Sequence, residues 1–334
     1  SKRQTMPNHM RKGRFYSMAN KKITVIGAGS VGSTTAFALA LKNLANEIVL
    51  VDINENKALG EAMDIHQGSP LFPEPVIVTA GNYESAANSD IVIITSGLPR
   101  KPGQTRIDLA QNNVNIMKDI ASKITKTCPN ATYVIVSNPV DILTYVFTKV
   151  SGIPEDHIIG SGTLLDTVRL RARISQYLSV SQKNVHAYVF GEHGETSFVP
   201  WSIAEVSTIN IRDYKEYIKL SNDIMVDLDY DEIYQYMRSS GAKIIERKGC
   251  TNYAIAVSVC TLCEHLSAGV NSVDTASTMM HGEYGLNDVC LSLPVLIGSG
   301  RVQGHILPKL TDEEIAKLKL SGDALKKVIA QVNI

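Results

Sequence analysis

The chain has no charge excess: 33 basic residues balance 33 acidic ones. That balance argues against a general nucleic-acid or membrane-surface protein, which would carry one sign in excess. It has no disulfide framework. The five cysteines (Cys128, Cys250, Cys260, Cys263 and Cys290) are odd in number and irregular in spacing. Cys260 and Cys263 form a Cys-x-x-Cys pair, but within an apolar helical pattern, with no second pair and no histidine cluster nearby. They read as core thiols in a reducing compartment, which points to the cytoplasm. No apolar run reaches the ~18 residues that a membrane span needs. There is no internal repeat and no low-complexity segment, which sets aside solenoids and disordered linkers. Acidic residues are missing from the first 17 positions, which hold five basic ones. That stretch reads as a tag, a native basic extension or a poor organelle-targeting peptide, with Met18 as a natural start.

What is present is enough for a large core: 334 residues, 44% of them apolar. The stretch that organises the rest is Lys22 to Gly32, an apolar run that breaks into Gly-x-Gly-x-x-Gly. Ile23, Val25 and Ile26 read as a buried strand. Gly27 permits a tight turn, Gly29 lets backbone approach a pyrophosphate, and Gly32 lets the next helix pack close to the sheet. The helix that opens at Ser30 and Val31 presents N–H groups and a partial positive charge to phosphates. A second strand, Glu47 to Val51, ends in Asp52, about 20 residues past the last glycine, where a ribose hydroxyl would be held. Strand, glycines, helix, strand and acid in that order predict a dinucleotide site.

Strand and helix patterns then alternate. Asn54 to Gln67 has helical periodicity, with Ala58, Leu59, Ala62, Met63 and Ile65 on or near one face. Val76–Val78, Asp90–Thr95 and Ala131–Val136 read as strands, the second with an uninterrupted apolar run and the third buried, as in parallel sheets covered on both faces. Between them, Ser96 to Arg106 forms a polar, cationic loop with Gly and Pro at both ends, a candidate lid. The pattern predicts a Rossmann doubly wound parallel sheet, with its site at the carboxyl ends of the strands. A mixed α+β catalytic domain should follow it. We expect an extension over residues 1–19, an NAD-binding domain over 20–160 and a catalytic, substrate-binding domain over 161–334. In the second half the spacing predicts a helix over Leu164–Leu178, a strand over Val185–Phe190 and mostly helix over Asp213–Arg247. An apolar helix then runs to Leu266. A strand over Cys290–Ile297 has a hairpin partner near Gly304–Leu307, and a capped final helix opens at Thr311.

Nicotinamide chemistry on an alcohol needs a group to hold the substrate, an acid/base and a dry site. His193, between Gly191 and Gly194 at a strand end, suits proton exchange because imidazole titrates near neutrality. Asp166 could fix its tautomer. Arg169, three residues on, shares a helix face with Asp166 and could grip a carboxylate with two parallel hydrogen bonds. Taken singly these have ordinary readings, a structural histidine and a surface ion pair. Together with a dinucleotide half they point to a dehydrogenase.

The chain resembles the L-2-hydroxy-acid dehydrogenase superfamily of lactate and malate dehydrogenases from about Lys21 to the C-terminus. The resemblance rests on Gly27–Gly32, Arg100–Arg106, Ser137–Asp141, Leu165–Arg169 and Gly191–Gly194. It implies His193 as acid/base paired with Asp166, Arg169 as carboxylate clamp, and Arg106 as polariser of the substrate carbonyl. It implies that Asn138 binds nicotinamide or a substrate oxygen, and that Asp52 favours NAD by repelling a 2′-phosphate. The substrate would be a small 2-keto or 2-hydroxy acid. Two dialects are mixed over which one. Arg100 stands where malate enzymes carry arginine, and would pair with a second carboxylate. Thr251, Ile107 and the segments Gly160–Thr163 and Gly191–Gly194 resemble the lactate branch. Arg171 and His186 stand where bacterial lactate enzymes bind fructose 1,6-bisphosphate. We expect pyruvate–lactate chemistry, with oxaloacetate–malate or dual use as the alternative. A catalytically silent NAD-binding protein is the reading from a different class. The resemblance also implies a homotetramer or homodimer.

Overall fold

A computed structural model of the chain describes residues 21–99, 105–217 and 227–334. The basic segment 1–19, Arg100 and part of the candidate lid lie outside the described residues. The first half alternates as β1 (Lys22–Ile26), α1 (Ser30–Leu41), β2 (Glu47–Val51), α2 (Glu55–Gly68), β3 (Ile77–Gly81), β4 (Ile91–Ile94), α3 (Arg106–Thr127), β5 (Thr132–Ile135), α4 (Val140–Val150) and β6 (Ile158–Gly160). The second half comprises α5 (Leu164–Leu178), β7 (Val185–His186), β8 (Glu205–Val206), β9 (Ile209–Asn210), α6 (Tyr214–Tyr217), α7 (Tyr230–Lys248), α8 (Tyr253–Ser267), β10 (Ser272–His281), β11 (Asn287–Gly298), β12 (Arg301–His305) and α9 (Asp312–Ile329).

The parallel strands lie in the order β3-β2-β1-β4-β5-β6. The order reverses between β1 and β4, which opens a crevice at their carboxyl ends. The period-two pattern of each strand explains its two-sided burial. Ile23, Val25, Ile48, Leu50, Ile91 and Ile93 pack on one face with α1, α2 and α8. Ile26, Val49, Val51, Val92 and Ile94 pack on the other with α3, α4 and α9. A third cluster lies under α5, α7 and the small β7-β8-β9 sheet.

The sheet does not stop at β6. β10 joins it antiparallel, Ser277 opposite Gly160, and β11 and β12 extend it to nine strands. The pattern along the sequence misses β10 because Thr275, Ser277 and Thr278 look like surface residues, yet all three are buried.

Other expectations shift. Leu59 and Met63 are about half exposed, so the buried face of α2 is Ala58, Ala62 and Ile65 alone. The third strand is Ile77–Gly81. Of the strand expected over Val185–Phe190, Val185 and His186 pair regularly with β8, and Phe190 makes a single bridge to Phe198. The helix expected over Asp213–Arg247 is two helices, α6 and α7, with non-helical residues at 227–229. The hairpin partner of β11 is Arg301–His305, which begins earlier than expected. The final helix opens with the predicted capping box, Thr311 with Glu314.

Candidate active site

At the dinucleotide turn each glycine has its own reason. Gly27 has φ +106, and a Cβ there would sit 2.7 Å from Thr95 Oγ1 and 2.9 Å from the Ser96 nitrogen. A Cβ on Gly32 would fall 1.8 Å from the Gly27 carbonyl oxygen, so α1 packs against the turn itself. Gly29 differs: φ is −74, and its added Cβ meets no protein atom within 4 Å. Among the described residues nothing demands a glycine there, and the open space lets a ligand approach the backbone. No side chain caps the first turn of α1, and no acid lies in it. Those N–H groups are suited to a pyrophosphate at the crevice. Asp52, at the end of β2, accepts from the Ala28 nitrogen at 2.6 Å and the Asn54 nitrogen at 2.8 Å. Its carboxylate therefore braces the glycine turn from the edge where a ribose would lie.

A clean test follows from Gly29. Gly29→Val should leave Tm essentially unchanged, while the Kd for NADH, read by fluorescence, rises at least ~10-fold, about 1.4 kcal/mol. An equal loss of stability and affinity would mean that the turn itself had collapsed.

The second half brings three of its expected residues together. The first turn of α5 carries Asp166, buried at 7% exposure. His193 Nδ1 lies 2.6 Å from Asp166 Oδ2, and Arg169 Nη1 lies 3.3 Å from Asp166 Oδ1. The pair raises the His193 imidazole to about 9, chiefly through the negative charge of Asp166, against a smaller opposing effect of burial. Burial pushes the Asp166 carboxyl up, but the combined pull of His193 and Arg169 outweighs it and leaves the group below its usual value. With Nδ1 committed to Asp166, Nε2 is the atom for proton exchange. The imidazole remains 30% exposed, so it can reach a substrate.

The turn that carries His193 is held from behind. Gly191 exchanges backbone hydrogen bonds with Ser292 of β11, both 3.0 Å. The Glu192 nitrogen donates to Ser321 of α9 at 2.6 Å. The His193 nitrogen donates to Asp141 Oδ2 at 2.7 Å.

Across the crevice, Asn138 is exposed at the end of β5, just before α4. Its carbonyl accepts from Asn113 Nδ2 at 2.7 Å, and Asn113 also bonds the Leu98 nitrogen at 2.8 Å and the Leu98 carbonyl at 3.2 Å. The buried Asn113 thus ties the root of the 97–106 loop to the Asn138 segment. Arg106 is the first residue of α3, behind a capping box of Thr105 with Asp108. Thr251 is half-buried between α7 and α8, beside Asn252, which reaches Thr34 of α1 at 2.8 Å. Arg171 Nε donates to the Ala187 carbonyl at 2.9 Å, its guanidinium lies 4.8 Å over the Tyr188 ring, and His186 next to them is exposed.

Reading the sequence assigned no role to Asn113 or Asp141. Each acts through space, on chain 15 to 136 residues away, and no local pattern marks that. Cys260 and Cys263 are fully buried free thiols, and burial pushes the first up to about 12 and the second higher still. No group of side chains able to hold a metal occurs among the described residues.

Fold and site define an enzyme class: a dinucleotide crevice built on a doubly wound sheet, facing a histidine–carboxylate acid/base with an arginine beside it. Comparison with known proteins agrees. Residues 21–160 match the model for the lactate/malate dehydrogenase NAD binding domain, and residues 163–333 that for the lactate/malate dehydrogenase alpha/beta C-terminal domain. The chain therefore belongs to the lactate/malate dehydrogenase family and is an NAD-dependent 2-hydroxy-acid dehydrogenase. It is 43% identical over 314 residues to an L-lactate dehydrogenase of Acetivibrio thermocellus, covering 94% of this chain and 98% of that one. It is 42% identical over 313 residues to L-lactate dehydrogenase 1 of Clostridium acetobutylicum, covering 94% and 99%. Among solved structures, a lactate dehydrogenase from a Medee basin deep-sea metagenome library superposes with TM-score 0.89 at 36% identity, covering 93% and 98%. The minor L-lactate dehydrogenase of Enterococcus mundtii gives 0.88 at 33%, covering 94% and 99%.

Proposed function

We propose that the protein is an L-lactate dehydrogenase, which reduces pyruvate to L-lactate with NADH and runs reversibly. The observation that carries the 2-hydroxy-acid chemistry is the 2.6 Å His193–Asp166 pair with Arg169 on the same face of α5, and the 42–43% identity to L-lactate dehydrogenases supports lactate over malate. Residues 20–160 hold the dinucleotide, through Gly27, Gly29, Ser30, Val31, Gly32, Asp52 and Asn138, and residues 161–334 handle the keto acid. Bound in the crevice, the reduced nicotinamide supplies the hydride. Arg169 turns its fork to the substrate carboxylate and fixes which face of the keto carbon is presented. Protonated His193 gives its Nε2 proton to the carbonyl oxygen as negative charge grows there. Asp166 keeps that proton available through the neutral range. Arg106, at the start of α3, is assigned the task of polarising the carbonyl once the loop has closed and excluded water. Thr251 narrows the pocket toward a methyl group.

The test is NADH oxidation with pyruvate and with oxaloacetate. A much higher kcat/KM for oxaloacetate would reverse the choice in favour of malate chemistry, the reading that Arg100 favours. Turnover of neither would leave an NAD-binding protein without this reaction.

Arg171 and His186 are proposed as a phosphate-binding pair for fructose 1,6-bisphosphate, on the strength of their adjacency and the exposed imidazole. The double variant Arg171→Gln/His186→Gln should lose any activation by that sugar without changing the unactivated rate. Equal activation of parent and variant would remove the assignment. Exposed Leu59, Met63, Tyr253 and Val257 suit self-association as a homotetramer or homodimer, which sedimentation velocity reads directly. No described helix is long and apolar enough to cross a membrane. The free thiols suit a reducing compartment, and we assign the protein to the cytoplasm.

A further inference from the structure

Asp141 is 2% exposed, in the first turn of α4, three residues after Asn138. A carboxylate at a helix N-terminus has a routine explanation in the helix dipole. This one does more, because each oxygen is committed to a different element. Oδ2 accepts the His193 backbone N–H at 2.7 Å, and Oδ1 accepts Ser277 Oγ of β10 at 2.6 Å. The side chain therefore ties together α4, the catalytic turn and the antiparallel part of the sheet. The groups facing it from those elements are His193 and Glu192 on the turn, Ser277 on β10 and the Cys290 thiol on β11. Among the described residues, the cation that acts on it is protonated His193.

We propose that Asp141 is a positioning residue for proton transfer, which anchors the His193 backbone to the Asn138 end of α4 and places a second negative charge behind the imidazole. The inference rests on the reading of His193 as the acid/base. Two consequences follow. The histidine and the Asn138 segment keep a fixed relation, because one buried carboxylate, three residues past Asn138, bonds the His193 backbone directly. The anion also favours the protonated imidazole, adding to Asp166, so that the proton stays on His193 until a substrate oxygen takes it. Burial raises the Asp141 carboxyl to about 6, with the Ser277 hydrogen bond opposing. The fold thus holds this charge against its own preference, as expected where a group serves the site rather than stability.

The decisive variant is Asp141→Asn. Its amide oxygen can still accept from His193 N–H and its NH2 can donate to Ser277 Oγ, so the charge alone is lost. Histidine ring resonances, with His193 assigned by its loss in His193→Gln, give the imidazole titration without any substrate. The expected result is a His193 midpoint lower by about 0.3–1 unit, smaller than the shift caused by Asp166→Asn. The basic limb of the pyruvate kcat profile should move the same way. Asp141→Ala removes the anchor as well, and should lower kcat by about 10-fold or more while KM for pyruvate changes less. A His193 midpoint and pH profile in Asp141→Asn that superimpose on the parent would overturn the proposal, whether or not Asp141→Ala folds. Failure of the parent to turn over pyruvate would count against the substrate reading alone, since the ring titration still decides the role of Asp141.

Discussion

Asp166→Asn should lower kcat for pyruvate reduction near neutral pH by about 10²–10⁴-fold and move its basic limb down by about 1–3 units. The sign follows from the pair. In reduction His193 must start protonated, so the rate falls as pH rises through the histidine's own pKa. In the parent that pKa is raised to about 9, so activity persists above neutrality. Without the Asp166 carboxylate the largest raising influence is gone, while burial and Arg169 still act to lower it. The variant's histidine is therefore neutral over the range in which the parent works. Asparagine can also present its NH2 to Nδ1 and select the wrong tautomer, in which the neutral ring carries its proton on Nε2 and Nδ1 is bare.

The same shift has a stability counterpart. A histidine raised from 6.5 to about 9 in the folded state contributes stability that is fully present below 6.5 and lost as pH rises through about 9. At about 1.4 kcal/mol per unit, the contribution is on the order of 3–4 kcal/mol. Denaturant midpoints of the parent should fall across that window, and those of Asp166→Asn should be flatter there. A variant that kept the parent's activity limb and the parent's stability slope would show that the pair does not set the histidine's proton affinity.

How much of this was legible in the sequence depends on the kind of contact. Parallel strands buried on both faces advertise themselves, as Ile91–Ile94 and Tyr133–Val136 do, because their side chains are apolar in succession. The glycine turn was legible because backbone geometry restricts the residue type at Gly27 and Gly32. His193, Asp166 and Arg169 were legible as a set because each sits in a compact local motif. β10 was not, because its inward hydroxyls are satisfied by distant partners: Ser277 by Asp141, Thr275 by Thr167 and Thr278 by His305. Hydropathy registers such residues as surface, and a buried hydroxyl with a partner costs little. Leu59 and Met63 failed in the opposite sense. Their periodicity is that of a buried face, but among the described residues they stay about half exposed. Asp141 carried no role in the sequence, because its tie to His193 spans 52 positions and exists only in the folded state.

Arg169→Leu should raise KM for pyruvate far more than it changes the Kd for NADH, with kcat/KM down by about 30- to 5,000-fold, or ~2–5 kcal/mol. Removing one side of a desolvated charge pair leaves the substrate carboxylate without its partner in a closing site. Arg169→Lys keeps the charge but not the planar fork, and should fall between parent and Leu. Arg169 has a second role that separates these variants from Asp166→Asn. Its Nη1 lies 3.3 Å from Asp166, and its positive charge lowers the proton affinity of His193. Losing it should therefore raise the His193 midpoint, whereas losing Asp166 lowers it. The two substitutions lie three residues apart on α5 and both damage pyruvate reduction, yet they must move the histidine titration in opposite directions. A merely misfolded first turn of α5 would move both the same way, because each would then expose the dyad to water. The ring titration of His193 in the two variants, set beside their NADH affinities, thus distinguishes a carboxylate clamp coupled to an acid/base from a helix that has lost its place.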